Sequence, residues 1–331
     1  MRVRTRRDDE VIDLTPGERG RDAHAPGEIP AKGWRDVGLR VKDEVKEDQV
    51  SLLCAGVAFY LLLALFPALA ALVSVYGLVA DPGQVSQQVT DMTGTLPEEA
   101  QRLITDQLEK ITSEQQGIGV TLAVSLVAAL WAASSGVKNL IGAINAAYDE
   151  EETRRFLKLR GLSLALTLGA VLFAAVAIGV IGVLPVLADR LPFGGVGQAL
   201  VQVASYAGLA VGFAFGLAVL YRYAPDRDAP RWQWVSWGAA IATALWIVGS
   251  IAFSVYVSNF GSYGETYGSI GAVIVLMLWL VVTAFAIILG AEINAELEAQ
   301  TAKDSTVGAP APIGQRGAVK ADDLGAPRAA Q

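Results

Sequence analysis

Residues 131 to 149, WAASSGVKNLIGAINAAYD, carry a few polar side chains through an otherwise apolar run. On a helix, Trp131, Ser135, Lys138, Gly142, Asn145 and Asp149 recur at alternating intervals of four and three residues, so they share one face. A lysine flanked by hydroxyl and amide groups in apolar surroundings suits the binding of an anion. In that reading the stripe lines a cavity or substrate path, with Lys138 supplying the positive charge. Two plainer roles stand beside it. Lys138 can reach the inner headgroups along its apolar stem, and Ser, Gly and Asn commonly mediate close helix packing.

Other residues with chemical potential flank the apolar runs. Arg222, in YRYAP, could hold a phosphate or lipid headgroup or act as a plain membrane anchor. Glu292 and Asn294 follow the last apolar run; Glu292 could pair with Lys138 or Arg222, or stay hydrated at the interface. Pro67 falls inside the first run and is expected to kink it or interrupt its hydrogen bonds. Gly208, Gly212 and Gly216 repeat every four residues and predict close packing against another helix, in this chain or in a second copy.

Several chemistries are disfavoured. His24 is the only histidine and lies in a polar tail, and Cys54 is the only cysteine. No disulfide can form within one chain, and multi-His or Cys-cluster metal sites are excluded. The linear sequence shows no acidic cluster of the kind a metal nuclease needs, and no Walker motif, so any transport would be secondary or passive. We therefore expect no catalytic residue, cofactor or metal ligand, and no nucleic-acid partner.

The elements that must position these residues are membrane helices. Of the 331 residues, 53% are hydrophobic, and they come in blocks. About six blocks are long enough to cross roughly 30 Å of hydrocarbon at 1.5 Å per residue. The expected fold is all-α and polytopic, a membrane domain over 50–299 with spans near 50–79, 118–146, 161–187, 199–222, 235–257 and 269–290. Residues 1–33 and 300–331 read as disordered tails. Residues 34–49 place Trp34, Val37, Val41 and Val45 on one side of a helix expected to lie on the membrane surface. Between the first two spans, residues 81–113 predict an amphipathic helical hairpin, starting at Asp81-Pro82 and restarting at the capping-box spacing of Thr95 to Glu98.

Lys and Arg counts set the orientation. With both termini inside, the cytoplasmic segments carry eleven, four, three and four, and the external ones two, one and none. Both termini are thus expected in the cytoplasm and the hairpin outside. Trp232, Trp234 and Trp237 then fall at the inner interface, and Tyr256, Tyr263 and Tyr267 toward the outer one.

Taken together, FYLLLALFP, WAASSGVKNLIGAINAAY, LYRYAP and YGSIGAVIVLMLWL…LGAEINAELE resemble the YihY/virulence factor BrkB family of bacterial inner-membrane proteins, over about residues 35 to 300. That resemblance implies six helices, cytoplasmic termini, no cofactor and a place in the inner membrane. It also implies a part in envelope integrity, through transport of an anionic substrate or lipid or through scaffolding of other envelope proteins. Membrane lipids, an anionic substrate, a second copy and another envelope protein are the partners it suggests. A ribonuclease label attached to some members finds no support in these residues.

Overall fold

The computed structural model describes residues 2–4, 11–13, 19–76, 120–188, 194–260 and 269–327. Seven long helices dominate it: α1 (Ala31–Glu47), α2 (Val50–Tyr76), α3 (Val120–Ala147), α4 (Phe156–Ala188), α5 (Gly194–Tyr223), α6 (Trp232–Phe260) and α7 (Ser269–Glu298). A single turn, α8 (Val319–Asp322), follows in the C-terminal segment. The only strands among the described residues, Arg2–Arg4 and Val11–Asp13, pair antiparallel. The hairpin expected over 81–113, and Tyr263 and Tyr267, lie outside the described residues.

Helices α2 to α7 are each long and apolar enough to cross a membrane. They form a closed ring in chain order, α7 returning to pack on α2, while α7 also touches α3 and α1. The apolar surface left on the outside of the ring, including Leu200, Val211, Phe215 and Val248, is what hydrocarbon would cover. Helix α2 runs unbroken through Pro67, where the sequence predicts a kink or an interruption.

Where helices approach closely, glycine makes room. A Cβ on Gly136 would stand 2.9 Å from the Ala64 Cβ of α2. On α6, a Cβ at Gly238 would meet the Gly290 carbonyl and the Asn294 side chain of α7. The expected stripe on α5 behaves differently. Gly212 packs on the Phe173 ring, but a Cβ at Gly208 or Gly216 would meet nothing within 4 Å. Those two glycines create no close contact within this chain.

The densest core lies at the end of the ring that carries both terminal segments. Ile141, Ile144, Tyr148, Tyr221 and Ile288 are buried there, and the Tyr221 hydroxyl donates to the Ile287 carbonyl at 2.8 Å. The breaks between α1 and α2 and after α3 fall at this end too. Each uses a non-glycine residue in the left-handed region, Gln49 at φ 49° and Asp149 at φ 56°.

Three sequence expectations are corrected here. The apolar stripe of α1 is covered by protein: Val37 and Val41 pack with Trp234 and Leu297, and the Trp34 ring lies 5.5 Å from that of Trp237. Trp234 itself is buried in that cluster, so of the three indoles only Trp232 and Trp237 face outward. The tail segments 19–30 and 299–327, expected to be disordered, are ordered against the helix ends. Arg21 donates to the Ala299, Gln300 and Gly325 carbonyls, and Arg316 to those of Ala302, Lys303 and Ala321. Few apolar side chains are needed because buried guanidinium groups collect backbone carbonyls across the segment.

Candidate functional site

The polar stripe of α3 splits into two parts with different surroundings. Its first part faces the outside of the ring. Trp131 is 47% exposed, Lys138 and Gly142 are exposed, and Ser135 is half-buried. Its last part is internal: Asn145 is buried, donates to Glu152 Oε2 at 3.0 Å and accepts from the Asp226 N–H at 2.8 Å. Asn145 thus ties the loop after α3 to the loop after α5. A single straight stripe could not line one internal cavity, because the neighbouring helices cover only its lower end.

The exposed part gains a residue that sequence reasoning assigned elsewhere. Helix α4 starts at Phe156, five residues before the predicted span, so Arg160 belongs to the helix and not to a loop. Arg160 is only 8% exposed. Its Nη2 donates to the Trp131 carbonyl at 2.7 Å, its Nη1 to Ser135 Oγ at 3.3 Å, and its guanidinium lies 4.1 Å from the Trp131 ring centroid. Its Nε has no hydrogen-bond partner, and among the described residues no carboxylate lies within ion-pair distance. The result is a cation seated on an aromatic face at the outer wall, with Lys138 one turn further along α3. Such an arrangement is suited to an oxyanion approaching from the membrane side.

Arg222 makes a similar wall around the corner. It donates to the Pro230 carbonyl and sits 4.7 Å from the Trp232 ring and 5.5 Å from the Tyr223 ring, with its Nε unpartnered. Neither Lys138 nor Arg222 pairs with Glu292, as the sequence would allow. Glu292 points inward from α7, is fully buried, and has Asp48, Lys320 and Glu44 as its charged neighbours. Asn294 is a packing clamp: its Oδ1 accepts from the Gly238 N–H at 2.8 Å and its Nδ2 donates to the Val235 carbonyl at 3.3 Å.

A charge network closes the terminus-bearing end. Lys320 of the C-terminal segment lies 2.7 Å from Glu296, 3.1 Å from Glu44 and 3.2 Å from Asp149. Burial disfavours its charge, but Glu296, Asp149 and Glu44 outweigh that and hold Lys320 well above the ordinary lysine range. Arg40 of α1 also binds Glu296 and donates to Gln300 Oε1 at 2.8 Å. Beside them, burial and then the Asp149 carboxylate push Asp48 up to about 6. The network corrects the expectation that acidic residues are not clustered. Glu44, Asp48 and Asp149 bring carboxylate oxygens within 4.8 Å of one another. Asp149 lies about a hundred positions from the other two, and only the packing of α3 on α2 joins them.

Known proteins resemble this chain in sequence. The family profile described as virulence factor BrkB matches residues 41–313. YfkH of Bacillus subtilis, whose name describes it as ribonuclease-like, is 34% identical over 253 residues, 73% of this chain and 88% of its own length. The UPF0761 membrane protein NTHI0384 of Haemophilus influenzae is 21% identical over 80% of this chain and 96% of its own. A UPF0761 membrane protein of Tolumonas auensis is 35% identical, but over only 25% of this chain and 27% of its own. No solved structure matches.

Proposed function

The chain belongs to the virulence factor BrkB family of membrane proteins, and from that premise we propose that it is a multi-pass translocase for anionic lipids, its outer wall receiving the phosphate of a headgroup. One observation carries the reading: the Arg160 guanidinium lies over Trp131, lacks a carboxylate partner among the described residues and keeps its Nε unsatisfied. A buried cation without a counter-ion is costly, and a lipid phosphate would offset that cost with charge-assisted hydrogen bonds. Lys138 is exposed close by on the same helix and adds a second positive charge. The Lys and Arg counts support assigning the terminus-bearing end to the cytoplasm.

The test is lipid movement in proteoliposomes. Purified protein should transfer labelled phosphatidylglycerol between leaflets faster than protein-free vesicles do. Arg160→Ala should abolish the transfer, and Arg160→Lys, a point charge without the planar fork, should restore only part of it. Unchanged transfer in Arg160→Ala, or no transfer by the native chain, overturns the reading.

A second reading, a non-catalytic scaffold that pairs with a second copy or another envelope protein, is favoured by α5. Gly208 and Gly216 face open space beside exposed Val211 and Phe215, leaving a shallow surface that another helix could approach closely. Crosslinking between copies through Gly208→Cys in native membranes would support it. The ribonuclease-like name belongs to the Bacillus subtilis relative; in this chain the clustered carboxylates Glu44, Asp48 and Asp149 sit beneath the C-terminal segment, where a polynucleotide would not fit.

A further inference from the structure

Four acidic side chains converge where the end of α1, the start of α2, the end of α3 and the inner face of α7 meet. One oxygen each from Glu44, Asp48 and Asp149 lies within 4.8 Å of the others. Glu292 adds the observation that turns this cluster into a site. Its side chain has 0% exposure, neither of its carboxylate oxygens has a hydrogen-bond donor, and it stands within hydrogen-bonding reach of the Asp48 carboxyl. Asp48 Oδ2 likewise has no donor.

Charge is not balanced by the side chains at hand. Lys320 and Arg40 are the cations in contact with the network, and both are engaged by Glu296 in addition to anything they offer the cluster. Two cations thus serve Glu296, Glu44, Asp48, Asp149 and Glu292. Carboxylates left buried without donors are destabilising by several kcal/mol each unless a counter-charge arrives. The donors are all oxygen, with no histidine or cysteine among them, which selects a hard ion over zinc or copper. The spacing also fits, because oxygens on opposite sides of a magnesium, manganese or calcium ion stand about 4–5 Å apart.

We propose that Glu44, Asp48, Asp149 and Glu292 bind one hard divalent cation at the terminus-bearing end of the helix ring. The ion clamps the start of α2 and the end of α3 to α7 beneath the C-terminal segment. Because its ligands come from four separated stretches of chain, binding holds the ring closed at this end. The proposal does not depend on lipid translocation, and it is tested by binding alone.

Manganese serves as the probe, since its paramagnetic signal reports free ion directly. Full-length protein purified in an uncharged detergent and stripped with EDTA should take up one saturable Mn2+ per chain, displaced by Mg2+ or Ca2+. Asp48→Asn and Glu292→Gln should each weaken that uptake at least tenfold. Thermal unfolding keeps the result clear of misfolding: the stripped variants should melt no lower than stripped native protein, because each removes an uncompensated charge. Added Mn2+ should raise the melting temperature of the native chain and leave that of both variants unmoved. Absence of saturable uptake, or equal uptake in Asp48→Asn and Glu292→Gln, overturns the proposal.

Discussion

Arg227 and Glu298 form a two-pronged ion pair, 2.7 and 3.1 Å long, in which neither side chain is exposed. The guanidinium also lies 5.1 Å from the Tyr148 ring centroid, and Ser305 donates to the same carboxylate. Burial disfavours its charge, yet Glu298 outweighs burial and holds Arg227 above even the ordinary arginine range. The pair joins the loop after α5 to the last turn of α7. Arg227→Ala should therefore destabilise the protein by about 3–5 kcal/mol, because Glu298 stays buried without its counter-ion. Replacing both with apolar residues, Arg227→Met with Glu298→Leu, should recover most of that loss. Thermal unfolding of the two variants in the same detergent decides it.

Asn145 makes two loop contacts at once, to Glu152 and to the Asp226 N–H. Asn145→Ala should cost about 1–3 kcal/mol, since a buried N–H loses its acceptor. The damage should be local. Amide hydrogen exchange in residues 148–155 and 224–228 should rise well above exchange in the middle of α3.

Gly238 and Gly208 offer opposite outcomes for the same substitution. Gly238→Ala drives a methyl into the Gly290 carbonyl and Asn294, and should cost about 1–3 kcal/mol. Gly208→Ala meets nothing, and its better helix propensity should leave stability equal or raised by up to about 1 kcal/mol. Melting temperatures measured side by side check both.

Acid should loosen the C-terminal segment at Asp304. Burial raises this carboxyl, but the Ala311 N–H and then the Thr306 hydroxyl and N–H outweigh burial and hold it below its ordinary value of 3.8. A carboxyl whose folded value is depressed contributes stability that is complete above its ordinary value and disappears as pH falls through the folded one. Pepsin cleavage within residues 303–316 should thus accelerate as pH drops below about 4. Asp304→Asn should remove most of that pH dependence.

The six apolar helices were readable because hydrocarbon imposes length and composition on each span separately, and neither property depends on distant residues. What joins distant residues was not. Arg160 counts as one more basic loop residue until α4 is seen to begin at Phe156. Glu292 reads as an interfacial carboxylate until α1 and the C-terminal segment are seen to cover it. The repeat of Gly208, Gly212 and Gly216 has the right spacing for contact, yet isolated Gly238 and Gly290 make the closest one. Spacing reports which residues share a face, not what stands opposite. The C-terminal segment, rich in Ala, Gly and Pro, looks unstructured because its order comes from partners such as Arg21 and Glu44, more than two hundred positions away.

Arg21 is among the first residues to leave the ribosome, and its acceptors are the carbonyls of Ala299, Gln300 and Gly325. Arg40 waits in the same way for Glu296 and Ala326. During synthesis both guanidinium groups remain in water while every apolar helix is made and handed to the membrane. The seal between the two ends of the polypeptide is then the last event of assembly. A product stopped short of residue 325 would insert its helices and still expose two unfilled arginines, a mark by which quality control can tell an unfinished protein from a complete one.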